Sequence, residues 1–181
     1  MQDALQTFLK NIGEDPERAG LKKTPERWEE AMKFLTSGLT QSPEEIVKGA
    51  LFPADTQNLV LLKDIEFYSL CEHHLLPFFG KVHVGYYPSK DIIGVSKIPR
   101  IIDLYARRLQ TQERLGEQIL RALEGVLQPR ALGVVIEASH LCMMMRGVEK
   151  QGATVLTHHF GGEFLTGASA REEFLRAVTR A

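Results

Sequence analysis

Cys71-Glu72-His73-His74 gathers a thiol and two imidazoles in consecutive positions, and His140-Leu141-Cys142 places the chain's other cysteine beside a further imidazole. Thiolate and neutral imidazole are the preferred ligands of zinc, and Cys71 with His74 at i, i+3 can converge on one ion if the segment between them turns. Cys142 can supply a third ligand. Three protein ligands leave one position for water, which is the catalytic arrangement, and the metal then brings the pKa of that water towards ~7. A plainer reading fits the same spacing: both cysteines are small buried hydrophobes and the histidines are core or surface groups. His73 and His140 each neighbour a candidate ligand and titrate near neutrality, so either can move a proton, or can orient a ligand from behind it.

A second cluster, Ser96-Lys97-Ile98-Pro99-Arg100, stands where a strand pattern gives way to a helix pattern. Free backbone N–H groups at a helix start, a hydroxyl and two cations make a natural phosphate cradle, and Arg146, four residues past Cys142, can bring another guanidinium. A solvated helix start with ordinary surface charges fits equally. Gln112-Glu113 falls in the first turn of the next helix, where a carboxylate is favoured by the dipole and can also accept two N–H donors from a guanine edge. His158 and His159 are strand neighbours that face opposite ways, so at most one can reach a shared pocket. Met143-Met144-Met145 reads as packing.

These residues must be held by a chain of 181 residues with 44% hydrophobic and 25% charged composition, an ordinary globular chain of about one domain that needs no disulfide staples. Twenty-two Lys+Arg against 23 Asp+Glu give a net charge of -1, which argues against nucleic acid or an anionic membrane as partner, so an anionic ligand must be met by a local cluster. Two cysteines point to a reducing compartment. Met1-Gln2-Asp3-Ala4 has neither the basic nor the apolar region of a signal peptide, and no apolar run approaches the ~20 residues of a membrane span, so the expected location is cytoplasmic.

The positioning elements follow from periodicity. Ala4, Leu5, Phe8, Leu9 and Ile12 recur at helical spacing before Gly13; Thr24-Pro25 reads as an N-cap followed by proline, ahead of an apolar face of Trp28, Ala31, Met32 and Leu35; Ser42-Pro43-Glu44-Glu45 opens a short third helix. From Leu59 the period changes. Ile65 and Phe67 alternate with Asp64 and Glu66, then Val82, Val84 and Tyr86 with Lys81, His83 and Gly85, and Ile92 to Val95 is expected to extend the sheet. Ile98 to Leu109 and Leu115 to Leu127 read as helices, Val134 to Ala138 and Ala153 to Phe160 as strands, and Ser169-Ala170-Arg171-Glu172 as the capping box of a terminal helix. The expectation is an α+β fold: N-terminal helices over residues 1–50, then a ββααββ unit over 51–181 with a four-stranded antiparallel sheet and a C-terminal helix. Helices on one face leave the other face and two edges uncovered, which predicts association of subunits.

Five separated motifs together resemble the zinc-dependent GTP cyclohydrolase I family: Gly20-Leu21-x-x-Thr24-Pro25-x-Arg27, Cys71-Glu72-His73-His74, Gly94-Val95-Ser96-Lys97-Ile98-x-Arg100, Gln112-Glu113-Arg114-Leu115, and His140-x-Cys142-Met143-x-x-Arg146-Gly147-Val148. They occur in the family's order from about residue 20 to the C-terminal helix. The resemblance implies the tunnelling fold, with two pentameric rings stacked as a homodecamer. It implies hydrolytic opening of GTP to 7,8-dihydroneopterin triphosphate and formate, the entry step to tetrahydrofolate-type pterins. By resemblance Cys71, His74 and Cys142 are the ligands of Zn2+; His73 is the acid/base at the imidazole ring, supported by His140 and Gln112; Glu113 anchors guanine; Ser96, Lys97, Arg100 and Arg146 face ribose and triphosphate; and Arg27 reaches a neighbouring subunit's substrate. The short N-terminal region lacks the long regulatory extension of some relatives. Two other readings compete: a tunnelling-fold reductase acting on a deazaguanine nitrile through a metal-free cysteine, and a zinc-stapled module that binds purine nucleotides without turnover.

Overall fold

Apolar alternation builds the centre of the molecule. In the computed structural model, which describes residues 1–179, strand β2 (Val60–Cys71) pairs antiparallel with β3 (Pro77–Tyr87), β3 with β6 (Ala131–His140), and β6 with β7 (Val155–Gly162). Val82, Val84 and Tyr86 of β3 and Leu132, Val134 and Ile136 of β6 point to one face and are buried there. Helices α4 (Lys97–Ala106) and α5 (Gln112–Leu127) cover that face, burying Ile98, Ile101 and Ile102 from one and Leu115, Ile119 and Leu123 from the other. Each such side chain contributes about 1.5–3 kcal/mol relative to exposure, so this layer is the main source of stability.

The opposite face is partly closed by α8 (Ala168–Thr179) and the short α7 (Glu163–Thr166), where the expected single helical layer leaves it open. Phe174 of α8 lies against Gly85 and Gly133 of adjacent strands, and a Cβ on either glycine would stand 2.4 and 2.6 Å from its ring. Phe164 stacks on Phe174 with ring centroids 5.4 Å apart. His83, on this face, is consequently buried, and its Nδ1 accepts the Asp64 N–H at 3.2 Å.

Several expected boundaries move. Leu109 leaves the helix: α4 ends at Ala106, and Leu109–Gln110 form a two-residue strand, β5, parallel to Leu70 and Cys71, so the sheet has five strands in the order β5-β2-β3-β6-β7. Asp91–Ile93 (β4) does not extend the main sheet. It pairs with Leu51–Pro53 (β1) in a separate ribbon, held by the Ile93 N–H on the Tyr86 hydroxyl at 3.4 Å. β7 lies two residues later than the pattern suggests.

At the N-terminus α1 (Gln2–Asn11) packs on α2 (Thr24–Leu35). Lys23, not Thr24, holds the N-cap position of α2; the Thr24 hydroxyl donates back to the Gly20 carbonyl, while Pro25 sits in the first turn as expected. The faces of these helices are shallow: Leu9 is buried, Phe8 and Ile12 are exposed, and Trp28, Met32 and Leu35 are half-buried. A 3-10 turn (Ser37–Thr40) leads to α3 (Pro43–Val47), whose Ser42 and Glu45 form the expected capping box. Ser169 lies inside α8, which already begins at Ala168, so it does not cap it. Arg180 and Ala181, the last residues of the expected catalytic unit, lie outside the described residues. Among those described, no helix is long and apolar enough to cross a membrane.

Candidate metal centre

β2 ends at Cys71, and the chain turns at once: the Cys71 carbonyl accepts the N–H groups of His74 at 3.3 Å and Leu75 at 2.8 Å, and Leu75 takes the left-handed conformation at φ 56°. This turn brings the His74 side chain back over Cys71, with Nδ1 3.9 Å from Sγ. Cys142 arrives from the other bank. β6 runs beside β3 to His140, opposite Phe78, and the short helix α6 (Leu141–Met144) starts there. One ligand atom from each of Cys71, His74 and Cys142 lies within 4.8 Å of the other two. Two sulfurs and an imidazole nitrogen bonded to one tetrahedral ion at about 2.3 and 2.0–2.1 Å stand about that close to one another, so the donor set fits a metal. Burial pushes the Cys142 thiol up, the Cys71 sulfur adds to this, and Arg146 is near enough to pull the other way. A cation between the two thiols would reverse that penalty.

The candidate proton-transfer groups surround the trio. His73 is largely exposed, with Nδ1 3.7 Å from the Cys71 sulfur. His140 stacks on Phe78 at 4.7 Å between centroids and puts Nε2 2.8 Å from Oε1 of the buried Gln112. The Gln112 amide nitrogen donates to the carbonyls of Ile136 at 3.1 Å and Val155 at 2.9 Å, with the Thr157 hydroxyl at 3.3 Å. Two carbonyl acceptors fix which way the amide points, so Oε1 accepts from His140 and the imidazole carries its proton on Nε2. Burial holds the His140 pKa below the ordinary histidine value, and Glu113 pulls it partly back. Burial thus favours the uncharged ring, with its proton on Nε2 and Nδ1 as the acceptor.

Glu113 is exposed in the first turn of α5. The remaining cations are placed differently. Ser96 occupies the N-cap position of α4 without capping it through its side chain, and Lys97 starts the helix. Arg100 lines a cavity of about 290 Å³ with Phe34, Ser37, Gln41 and Arg107, on the side of α4 that meets the N-terminal segment. Arg27 is exposed on α2. Among the described residues, no hydrogen bond or ion pair joins Arg27, Ser96, Lys97 or Arg100 to the cysteine-histidine trio. The structure thus brings together Cys71, His74, Cys142, His73, His140 and Gln112 within one copy. Of the proposed phosphate-binding groups, Arg146 lies close enough to Cys142 to act on its thiol, whereas Arg27, Ser96, Lys97 and Arg100 make no such contact among the described residues.

His159 faces α5, its Nδ1 3.5 Å from Glu117, while His158 faces the other side of the sheet and stacks near Phe160, so neither joins the site. Met145 is exposed and Met143 and Met144 are only half-buried, which does not make them core. Sequence reasoning gave no role to Glu72 and Arg114, although both stand in the quoted motifs, and missed Gln110. Arg114 donates to the Glu72 carboxylate and to the Leu109 carbonyl, and its Nε donates to Gln110 Oε1 at 2.9 Å. The guanidinium holds the Glu72 carboxyl below its usual range.

The family model described as GTP cyclohydrolase I matches residues 1–179. Among curated relatives, the GTP cyclohydrolase 1 of Chlorobaculum tepidum is 54% identical over 98% of this chain and 80% of its own length. That of Leptospira biflexa is 55% identical over 98% of this chain and 97% of its own. That of Gloeobacter violaceus is 54% identical, covering 98% and 83%. Among solved structures, the apo crystal structure of an archaeosine synthase QueF-Like overlaps 60% of this chain and 97% of its own, at 20% identity and a TM-score of 0.49.

Proposed function

Because this chain belongs to the GTP cyclohydrolase I family, we propose that it opens the imidazole ring of GTP hydrolytically, using zinc held by Cys71, His74 and Cys142, and forms 7,8-dihydroneopterin triphosphate and formate. The observation that carries the metal-dependent reading is the convergence of these three donors, from the end of β2, the turn after it and the start of α6, into one group. Two thiolates and an imidazole suit zinc, and a site short of four protein ligands is of the catalytic type. When bound, the metal acts as a Lewis acid and lowers the pKa of water to roughly 7, supplying a nucleophile at neutral pH.

The chain's own residues do the rest. His73, exposed beside the trio, protonates N7 of the guanine and so makes C8 an electrophile. His140 accepts a proton at Nδ1 while Gln112 keeps the other nitrogen protonated. Glu113 accepts N–H donors from the guanine edge, which selects guanine over adenine because adenine offers no such pair. Ser96, Lys97, Arg100, Arg146 and Arg27 bind ribose and triphosphate. Arg100, on the side of α4 that meets the N-terminal segment, and Arg27, on α2, support a site completed by a second copy; the proposed assembly is a homodecamer of two five-membered rings. The product feeds the synthesis of tetrahydrofolate-type pterins.

Purified protein given zinc and GTP should release formate and yield a fluorescent pterin after oxidation, and a chelator should abolish both until zinc is restored. Neither product from zinc-loaded protein would refute the reading. A Cys142→Ala protein that kept full zinc content and full activity would refute the ligand assignment alone.

A further inference from the structure

The two banks of the centre are joined through the first turn of α5. Gln112 faces one bank, bonded to β6, β7 and His140. Arg114, two residues on, faces the other. Its guanidinium straddles β5: it reaches the Glu72 carboxylate, inside the turn that carries Cys71 and His74, and the Leu109 carbonyl at 3.1 Å. Its Nε bonds Gln110 Oε1, and the Gln110 amide donates to the Tyr105 carbonyl at 2.9 Å and to Gln118 Oε1 at 2.7 Å. Gln110 is 1% exposed, so Arg114 is tied to an anchor that cannot move independently of the core. The Glu72 N–H, in turn, donates to the Gln110 carbonyl at 3.0 Å. The ligand turn is therefore fastened to β5 twice, by its backbone and through the Glu72–Arg114 pair.

We infer that Arg114 is a positioning residue for the metal centre: through Glu72 it fixes the Cys71–His74 turn at the distance from Cys142 that three-point coordination requires. This rests on the reading of Cys71, His74 and Cys142 as metal ligands. A surface ion pair contributes little by itself, and Arg114 and Glu72 retain 44% and 33% of their side-chain exposure. The guanidinium, however, is held at three points, one of them on a buried amide, and its partner lies next in sequence to one proposed ligand and two residues from another. Partners that orient metal ligands from behind typically cost ~10–100-fold in affinity when removed.

The test is the zinc affinity of the full-length protein, measured by competition with a chromogenic chelator. Arg114→Met and Glu72→Gln should each weaken binding about 10-fold. The double variant should weaken it by about the same factor, because both changes remove one link. Arg114→Lys keeps the charge without the fork and should recover only part of the loss. Arg121→Met, on the same helix but paired with Glu117 and Glu124, should bind zinc as the wild type does. Wild-type affinity in Arg114→Met, or a double variant weakened by the product of the single factors, would overturn the inference while leaving the ligand assignment intact. Failure of the wild type to bind zinc would overturn the assignment and the inference together. Should Arg114→Met fail to fold, the isosteric Glu72→Gln carries the same expectation and the same refutation.

Discussion

Replacing Gln112 by leucine keeps the volume of a fully buried side chain and deletes every polar contact it makes. The amide donates to two main-chain carbonyls, on Ile136 and Val155. Each such bond is worth about 1 kcal/mol net, and the His140 N–H left facing leucine costs a further ~1–3 kcal/mol of unrecovered desolvation. Leucine recovers part of this through apolar contact, so the expected loss is about 2–4 kcal/mol. The catalytic effect is separate. Without Oε1 nothing selects the His140 tautomer, and the ring can turn its protonated nitrogen towards the substrate. A positioned acid/base group contributes roughly 10²–10⁴-fold, so we expect kcat for formate release to fall about 100-fold with KM for GTP little changed and zinc content intact. Gln112→Glu should destabilise as well, since a carboxylate opposes two carbonyl oxygens. The assay is steady-state formate release alongside urea unfolding, repeated in a His140→Ala background where Gln112→Leu should cost no further activity. Full kcat in Gln112→Leu, or an additional loss of the same size in the His140→Ala background, would refute the tautomer argument.

Phe174→Ala should lower stability by about 3–5 kcal/mol, read as a fall in the urea midpoint, because the ring is fully buried between the sheet and Phe164. Gly85→Ala should destabilise the wild type, since the new methyl meets the Phe174 ring, yet be tolerated in Phe174→Ala; equal cost in both backgrounds would show that the notch is not specific to the ring. His83 has its pKa depressed, first by burial and then by Lys63 and Lys81, against the opposing pull of Asp64 and Glu137. The stability it contributes is therefore present above its unfolded value of about 6.5 and is lost as pH falls through the lower folded value. Urea midpoints should drop on acidification from about 6.5 through the lower folded value, and His83→Gln should blunt the drop; an undiminished drop in the variant would remove His83 as a cause.

Much of this was readable in the chain because the signals were local. Apolar alternation located β3, a strand-like run located most of β6, helical spacing located α5, and two cysteines each two residues from a histidine marked the candidate ligands. What escaped depends on distance. Leu109 and Gln110 follow a helical run, and a two-residue strand has no period to detect; it exists because Leu70 and Cys71 offer it an edge. The β1–β4 ribbon is equally short. Glu72 and Arg114 look like ordinary surface charges in sequence, and only the parallel placement of β5 beside β2 makes them neighbours. His83 sits on the strand face that alternation leaves to solvent, and a helix from the end of the chain buries it.

The pairing of β3 with β6, from Phe78 opposite His140 to Tyr87 opposite Ala131, has a consequence for how the protein acquires its centre. On the proposed ligand set, before that ladder closes the β2–β3 hairpin can offer a metal only Cys71 and His74. The third ligand is separated from them by most of the intervening helical layer, and closing such a loop is slow compared with forming a hairpin. Metal capture is then an event of late folding, and it stabilises the closed ladder in proportion to free metal over its dissociation constant. In metal-poor surroundings the newly made chain would close its ladder as before but hold it less firmly. Metal supply would thus set how tightly the finished ladder stays closed as well as the activity it supports.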